Sequence, residues 1–178
     1  MRRAALVLAS VMSSGCLVLS LRPAYDDTSI AFEESLLGKW SSSEDQVQAV
    51  IERGEWRSYK VTYTDHSNTK TFQGNLTRVG GTLLIDLTES RGADPGPYLV
   101  PVHGVYRLML KADTLTAAPL EYGWFTRAMK QGSLGRIAAS FDDRRNAVIV
   151  SSTADLRRWL SKPPADVFGA PMTFERVP

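Results

Sequence analysis

A single cysteine, Cys16, is the only thiol in a chain of 178 residues. No intrachain disulfide can form, so packing alone must hold whatever this sequence folds into. The length is enough for one domain to bury its own core. From Gly38 onward the chain alternates apolar and polar residues in short runs separated by turn signals, the pattern of half-buried strands. Tyr59, Val61 and Tyr63 alternate with Lys60, Thr62 and Thr64, and residues 65–68 supply a turn. Phe72 and Leu76 lie on a second run. Gly80-Gly81 then predicts a tight hairpin, because glycine accepts positive φ without a side-chain clash. Leu83, Ile85 and Leu87 alternate on the returning strand, and residues 98–110 form a longer apolar segment in which Pro101 limits where a strand begins.

Two segments depart from this period. Residues 122–130 place Trp124, Phe125, Ala128 and Met129 on one side of a helix, which is expected to plug one end of the β structure. Residues 152–155 carry a hydroxyl and a carboxylate suited to a helix start, Leu156, Trp159 and Leu160 follow at helical spacing, and Pro163-Pro164 ends the helix. About eight to ten short strands in mostly antiparallel order need their edges closed, and a barrel does this by pairing first with last. The expected fold is mainly β, an antiparallel barrel with two short helices. A barrel of this size is filled by side chains or holds one small ligand. On the open reading, Tyr59, Val61, Tyr63, Leu83, Ile85 and Leu87 line an apolar pocket, with His103 and Tyr106 orienting a polar head. On the closed reading, the same residues are core.

The amino end is built differently. Arg2 and Arg3 precede an apolar run over residues 4–12, about half of the roughly 20 residues a spanning helix needs. Ser13-Ser14-Gly15 then places small residues before Cys16. A charged start, a short apolar stretch and a small-residue cleavage site make a secretory signal. With the cysteine directly after it, the segment resembles the lipobox of bacterial lipoproteins, although Ser13 stands where that family usually has leucine. The resemblance implies removal of residues 1–15, a diacylglyceryl thioether on Cys16, acylation of the new amino end with palmitate-type chains, and a membrane partner. Leu17 rather than aspartate at the second mature position implies sorting to the outer membrane, facing the periplasm. Three acyl chains would hold far more firmly than one. Residues 16–35 are read as the lipidated cysteine and a tether, and 36–178 as the barrel domain.

Cleavage also removes Arg2 and Arg3 from a total of 21 Lys+Arg against 19 Asp+Glu, leaving 19 of each sign. A neutral mature chain lacks the basic surplus of a nucleic-acid binder. No cofactor and no metal set is expected, since His66 and His103 make no zinc spacing. Asp142-Asp143 beside Arg144-Arg145 reads as a charged hairpin tip. Glu89, Arg91 and Asp94 sit in a Gly- and Pro-rich connection, read as a barrel-mouth lid or a solvated loop. Neither Gly-x-Ser-x-Gly, a phosphate loop nor His-Glu-x-x-His occurs, so no catalytic residue is assigned.

Gly38-Lys39-Trp40 and Phe174-Glu175-Arg176-Val177 together resemble the signature of calycin barrels, the lipocalins and fatty-acid-binding proteins. That resemblance implies that Trp40 at the barrel base packs under Arg176 from the closing strand, a cation–π pair. The layout also resembles uncharacterised bacterial lipoproteins, through residues 36–40, 59–65, 101–103 and 152–160. Three functions follow as expectations. The first is a lipid-anchored, non-enzymatic envelope protein binding a small apolar ligand. The second is a packed module that engages an envelope protein partner and has no cavity. The third is a hydrolase or isomerase using His103.

Overall fold

The computed structural model describes residues 17–66, 68–90 and 100–178. Cys16, with the rest of the signal segment, and Arg91 and Asp94 of the connecting loop lie outside the described residues. The elements in chain order are strands β1 (Val18–Ser20) and β2 (Ile30–Ala31), a 3-10 turn (Glu34–Leu36), and strands β3 (Gly38–Ser42), β4 (Val47–Arg53), β5 (Tyr59–Asp65), β6 (Asn68–Val79) and β7 (Thr82–Glu89). Next come β8 (His103–Lys111), β9 (Thr114–Pro119), helix α1 (Tyr122–Gln131), β10 (Ala139–Phe141), β11 (Ala147–Ile149), helix α2 (Thr153–Leu160) and β12 (Met172–Val177).

Strands β3 to β9 form an antiparallel meander, and β12 enters between β9 and β3. The ring therefore closes as an eight-stranded antiparallel barrel. Gly80 and Gly81 sit at φ 56° and 83° in the β6–β7 turn, with Val79 opposite Thr82, a primed hairpin as their sequence predicts. Alternation along each strand sends Val47, Ala49, Ile51, Val61, Leu76, Ile85, Leu108, Leu115 and Phe174 inward. Gly74 makes room there: a Cβ would lie 3.0 Å from Ile85 Cδ1 and 3.2 Å from Leu87 Cδ2.

A second core lies outside the barrel wall. Val79, Leu84, Val105, Ala118 and Leu120 point outward and meet Phe125, Ala128, Leu156 and Leu160 of the two helices. The helix expected to plug a barrel end packs on this outer wall instead. The reason is legible in the register: Leu84 and Val105 add apolar groups to the outer face of strands whose inner face is already apolar, so that face also needs cover. Glu121 caps α1 by accepting from the Gly123 and Trp124 amides, and Ser152 caps α2 by accepting from the Asp155 amide at 3.2 Å. Trp124 and Trp159, 6.3 Å apart, join the helices.

Residues 17–35 also depart from expectation. They are not a tether but part of the packed body. Strand β1 pairs in parallel with β11, which pairs with β10, and Ser20 meets His103 at the start of β8. Strand β2 takes the edge of β6 that β5 leaves beyond Gly74. Val18, Ala24 and Ile30 are buried, so this segment has apolar area to gain by docking. Between them the chain is strapped down by polar contacts: Ala24 donates to Asp86 Oδ2 at 2.7 Å, and Arg157 Nη1 donates to Ala24 O at 2.8 Å.

Leu156 is fully buried between α2 and the outer wall. Leu156→Ala is expected to cost about 2–5 kcal/mol, the range for buried leucine truncations. Urea unfolding should show a lower midpoint at unchanged slope. A loss below 1 kcal/mol would mean the helices add little to the stability of the barrel.

Candidate functional site

The barrel end that carries the Gly80-Gly81 turn is closed by residues 31–37, not by a helix. Ala31, Phe32, Leu36 and Leu37 belong to the interior cluster. Their backbone carbonyls need donors, and two side chains supply three hydrogen bonds to them. Trp40 Nε1 donates to Leu36 O at 2.9 Å. Arg176 Nη1 donates to Leu37 O at 2.9 Å and Nη2 to Ser35 O at 2.6 Å. The Arg176 guanidinium also lies 4.2 Å from the Trp40 ring centre, and its Nε is 3.1 Å from Asp113 Oδ1. Trp40 and Arg176 face each other across β3 and β12. Gly38 sits at φ 133°, and a Cβ there would come within 2.8 Å of Arg176 Nη1, so the close approach requires glycine.

Of the residues read as ligand-lining, Tyr59, Val61, Tyr63, Leu83, Ile85, Leu87 and Tyr106 all belong to the interior cluster. Tyr59 has a further task. Its hydroxyl accepts from Glu33 N at 2.6 Å, and its ring stacks on Phe32 at 4.8 Å, so it holds the closing segment. Burial pushes the pKa of the Tyr63 hydroxyl up to about 12 and raises that of Tyr106, so both stay protonated into alkaline solution.

His103 is not among them. Side chains alternate faces along a strand, so residues 103 and 106 of β8 cannot both point inward. His103 points outward, and its Nδ1 lies 2.6 Å from Asp86 Oδ1 and 3.2 Å from Thr88 Oγ1. Asp86 is 1% exposed and uses its other oxygen for Ala24 N. Sequence spacing missed this carboxylate partner because it comes from the neighbouring strand. Ser20, in register on the other side, has its Oγ engaged with the Arg22 backbone. The pair ties the N-terminal strap to the wall, and the hydroxyl against the imidazole, Thr88 Oγ1, shares Nδ1 with the Asp86 carboxylate.

A cavity of about 580 Å³ opens at the closed end, between β7 and β8. These strands pair from Leu84↔Arg107 to Thr88↔His103 and then part. Leu83 on one side and Leu108 and Leu110 on the other are left flanking a slot, with Leu36 beneath. Its rim carries Arg78, Arg107 and Lys111 against one carboxylate, Glu33, which pairs with Arg78 at 2.8 Å. Arg107 is held 4.9 Å from the Phe168 ring centre. Only Leu83 among the residues read as ligand-lining borders this slot. The rest of it was invisible in the sequence because it arises where two strands stop pairing.

His66 lies in the β5–β6 turn against Asp65, and Asp142 accepts from the Arg144 and Asn146 amides at a hairpin tip. Hydrogen bonds from the Asn146 side chain hold the Asp142 carboxyl below the usual carboxylate range. Among the described residues no group of three metal-ligating side chains occurs, and no helix is long and apolar enough to cross a membrane. No protein-family model, curated protein or solved structure matches the chain.

Contacting residues are not additive, so a cycle of Trp40→Leu and Arg176→Met is expected to show a coupling energy of about 0.5–3 kcal/mol in urea unfolding. Strict additivity would mean that the stacking and shared carbonyl contacts contribute nothing to closure.

Proposed function

We propose that this is a lipid-anchored, non-enzymatic protein of the bacterial cell envelope, held at the outer membrane and facing the periplasm, whose calycin-like barrel binds a small apolar ligand. The anchor rests on the cationic start, the short apolar run and the small residues before Cys16. The ligand reading is carried by the slot between β7 and β8. Its volume of about 580 Å³ falls in the roughly 300–1,000 Å³ range of small-molecule sites, which are mostly apolar with few polar groups. Leu36, Leu83, Leu108 and Leu110 would take an apolar body. Arg78, Arg107 and Lys111, opposed by Glu33 alone, favour an anionic head.

Two experiments test the two halves. Cells fed a radioactive fatty acid should label the wild-type chain and not Cys16→Ser, which should accumulate as precursor. Equal label in Cys16→Ser would defeat the anchor. Titration of the protein with a fluorescent fatty-acid analogue should saturate, and Lys111→Glu at the rim should weaken binding by about tenfold, roughly 1.4 kcal/mol. Leu83→Trp should block the slot. Failure of the folded wild type to bind saturably would defeat the ligand reading and favour the packed interaction module, since large side chains already fill much of the interior.

A further inference from the structure

The chain is immobilised from the first residue after Cys16. Leu17 N donates to Asn146 Oδ1 at 3.1 Å, and Leu17 O accepts from Ala147 N at 2.9 Å. Strand β1 begins at the next residue. Consecutive Cα atoms are about 3.8 Å apart, so anything carried on Cys16 starts at the wall of the domain and not at the end of a linker.

What lies there is a second cavity, of about 270 Å³. It forms because β8 changes partners: His103 pairs with Ser20 of β1, and pairing with β9 resumes only at Tyr106 opposite Pro119. Gly104 lies in the interval and Gly169 beside it, so neither fills the wedge with a side chain. The lining is apolar, with Leu17, Val18, Tyr106, Pro119, Leu120 and Ala170. Glu121 borders it, but both carboxylate oxygens are turned to the α1 amides. Leu17, at the mouth, is 52% exposed.

We infer that this wedge seats one acyl chain carried by the chain's own Cys16. The inference rests on the lipid-anchor reading and names where part of that lipid goes. Chain connectivity selects this occupant over a free ligand, because Leu17 is at once the mouth of the cavity and the sequence neighbour of Cys16. The volume, below the roughly 300–1,000 Å³ of ordinary ligand sites, suits part of one chain and not three. Two chains would remain for the bilayer, and two suffice for stable anchoring. The barrel would then sit against the membrane in one orientation.

A photoactivatable diazirine fatty acid, incorporated metabolically into the full-length protein, tests this. After purification in detergent and irradiation, digestion should yield peptides in which the Cys16 lipid is bonded to the segments around Gly104–Tyr106, Pro119–Tyr122 or Gly169–Ala170 of the same molecule. Ala170→Trp, at an exposed lining position, should remove most of these products while Cys16 stays labelled. Label on Cys16 with crosslinks only to detergent or lipid would overturn the inference and leave the anchor standing. Absence of label from the wild type would overturn both.

Discussion

The guanidinium of Arg176 is the group on which closure of this barrel depends. It stacks on Trp40, donates to the carbonyls of Ser35 and Leu37, and reaches Asp113. A flat, always charged fork with five N–H donors can do all of this at once, and a lysine cannot. The carbonyls matter because residues 31–37 cross the end of an apolar interior, where unpaired backbone groups would cost free energy. One side chain on the last strand therefore joins the first barrel strand, the segment before it and the β8–β9 turn. The missing Cβ of Gly38 is what lets it approach.

Strands β7 and β8 serve two cores from opposite faces. Leu83, Ile85 and Leu87 point into the barrel, while Leu84 and Val105 point at the helices. Such a wall cannot carry exposed polar groups on its outer face, and those it does carry are paired. Asp86 has His103 and the Ala24 amide, and Thr77 donates to Ser29 O at 3.1 Å. The N-terminal strap thereby becomes part of the wall. Arg157 of α2 closes over it through Ala24 O, Thr77 Oγ1 and Asp26.

Much of this was legible in the residues. Alternation around Tyr59, the Gly80-Gly81 turn and both helices follow from local patterns, and the calycin resemblance implies the facing Trp40–Arg176 pair. What failed did so for nonlocal reasons. Residues 17–35 look like a tether because β1 and β2 are too short to show a period, and their burial comes from edges that β6 and β8 leave open. An inward His103 conflicts with the phase that Tyr106 sets three residues later on the same strand. The outer position of α1 does have a signal in the sequence: Leu83-Leu84-Ile85 breaks alternation, which marks a strand covered on both faces.

The slot and the wedge share one origin. Each lies along β8, where a neighbouring strand stops pairing before β8 does: β7 on one side after Leu84, and β1 and β9 on the other around Gly104 and Val105. A strand that must satisfy three partners along nine residues cannot keep both edges filled throughout. The rest of the interior is packed with large side chains. These two openings lie at the seam where the barrel meets its N-terminal strand and its closing segment. Their linings differ in chemistry. The slot beside Leu83 is rimmed by Arg78, Arg107 and Lys111, whereas the wedge at Leu17 is apolar, with its one carboxylate committed to a helix cap. A charged head has electrostatic complement only at the first, and an uncharged chain without a head fits the second. On the proposed reading, the slot would take a free anionic amphiphile and the wedge an acyl chain tethered to the protein itself.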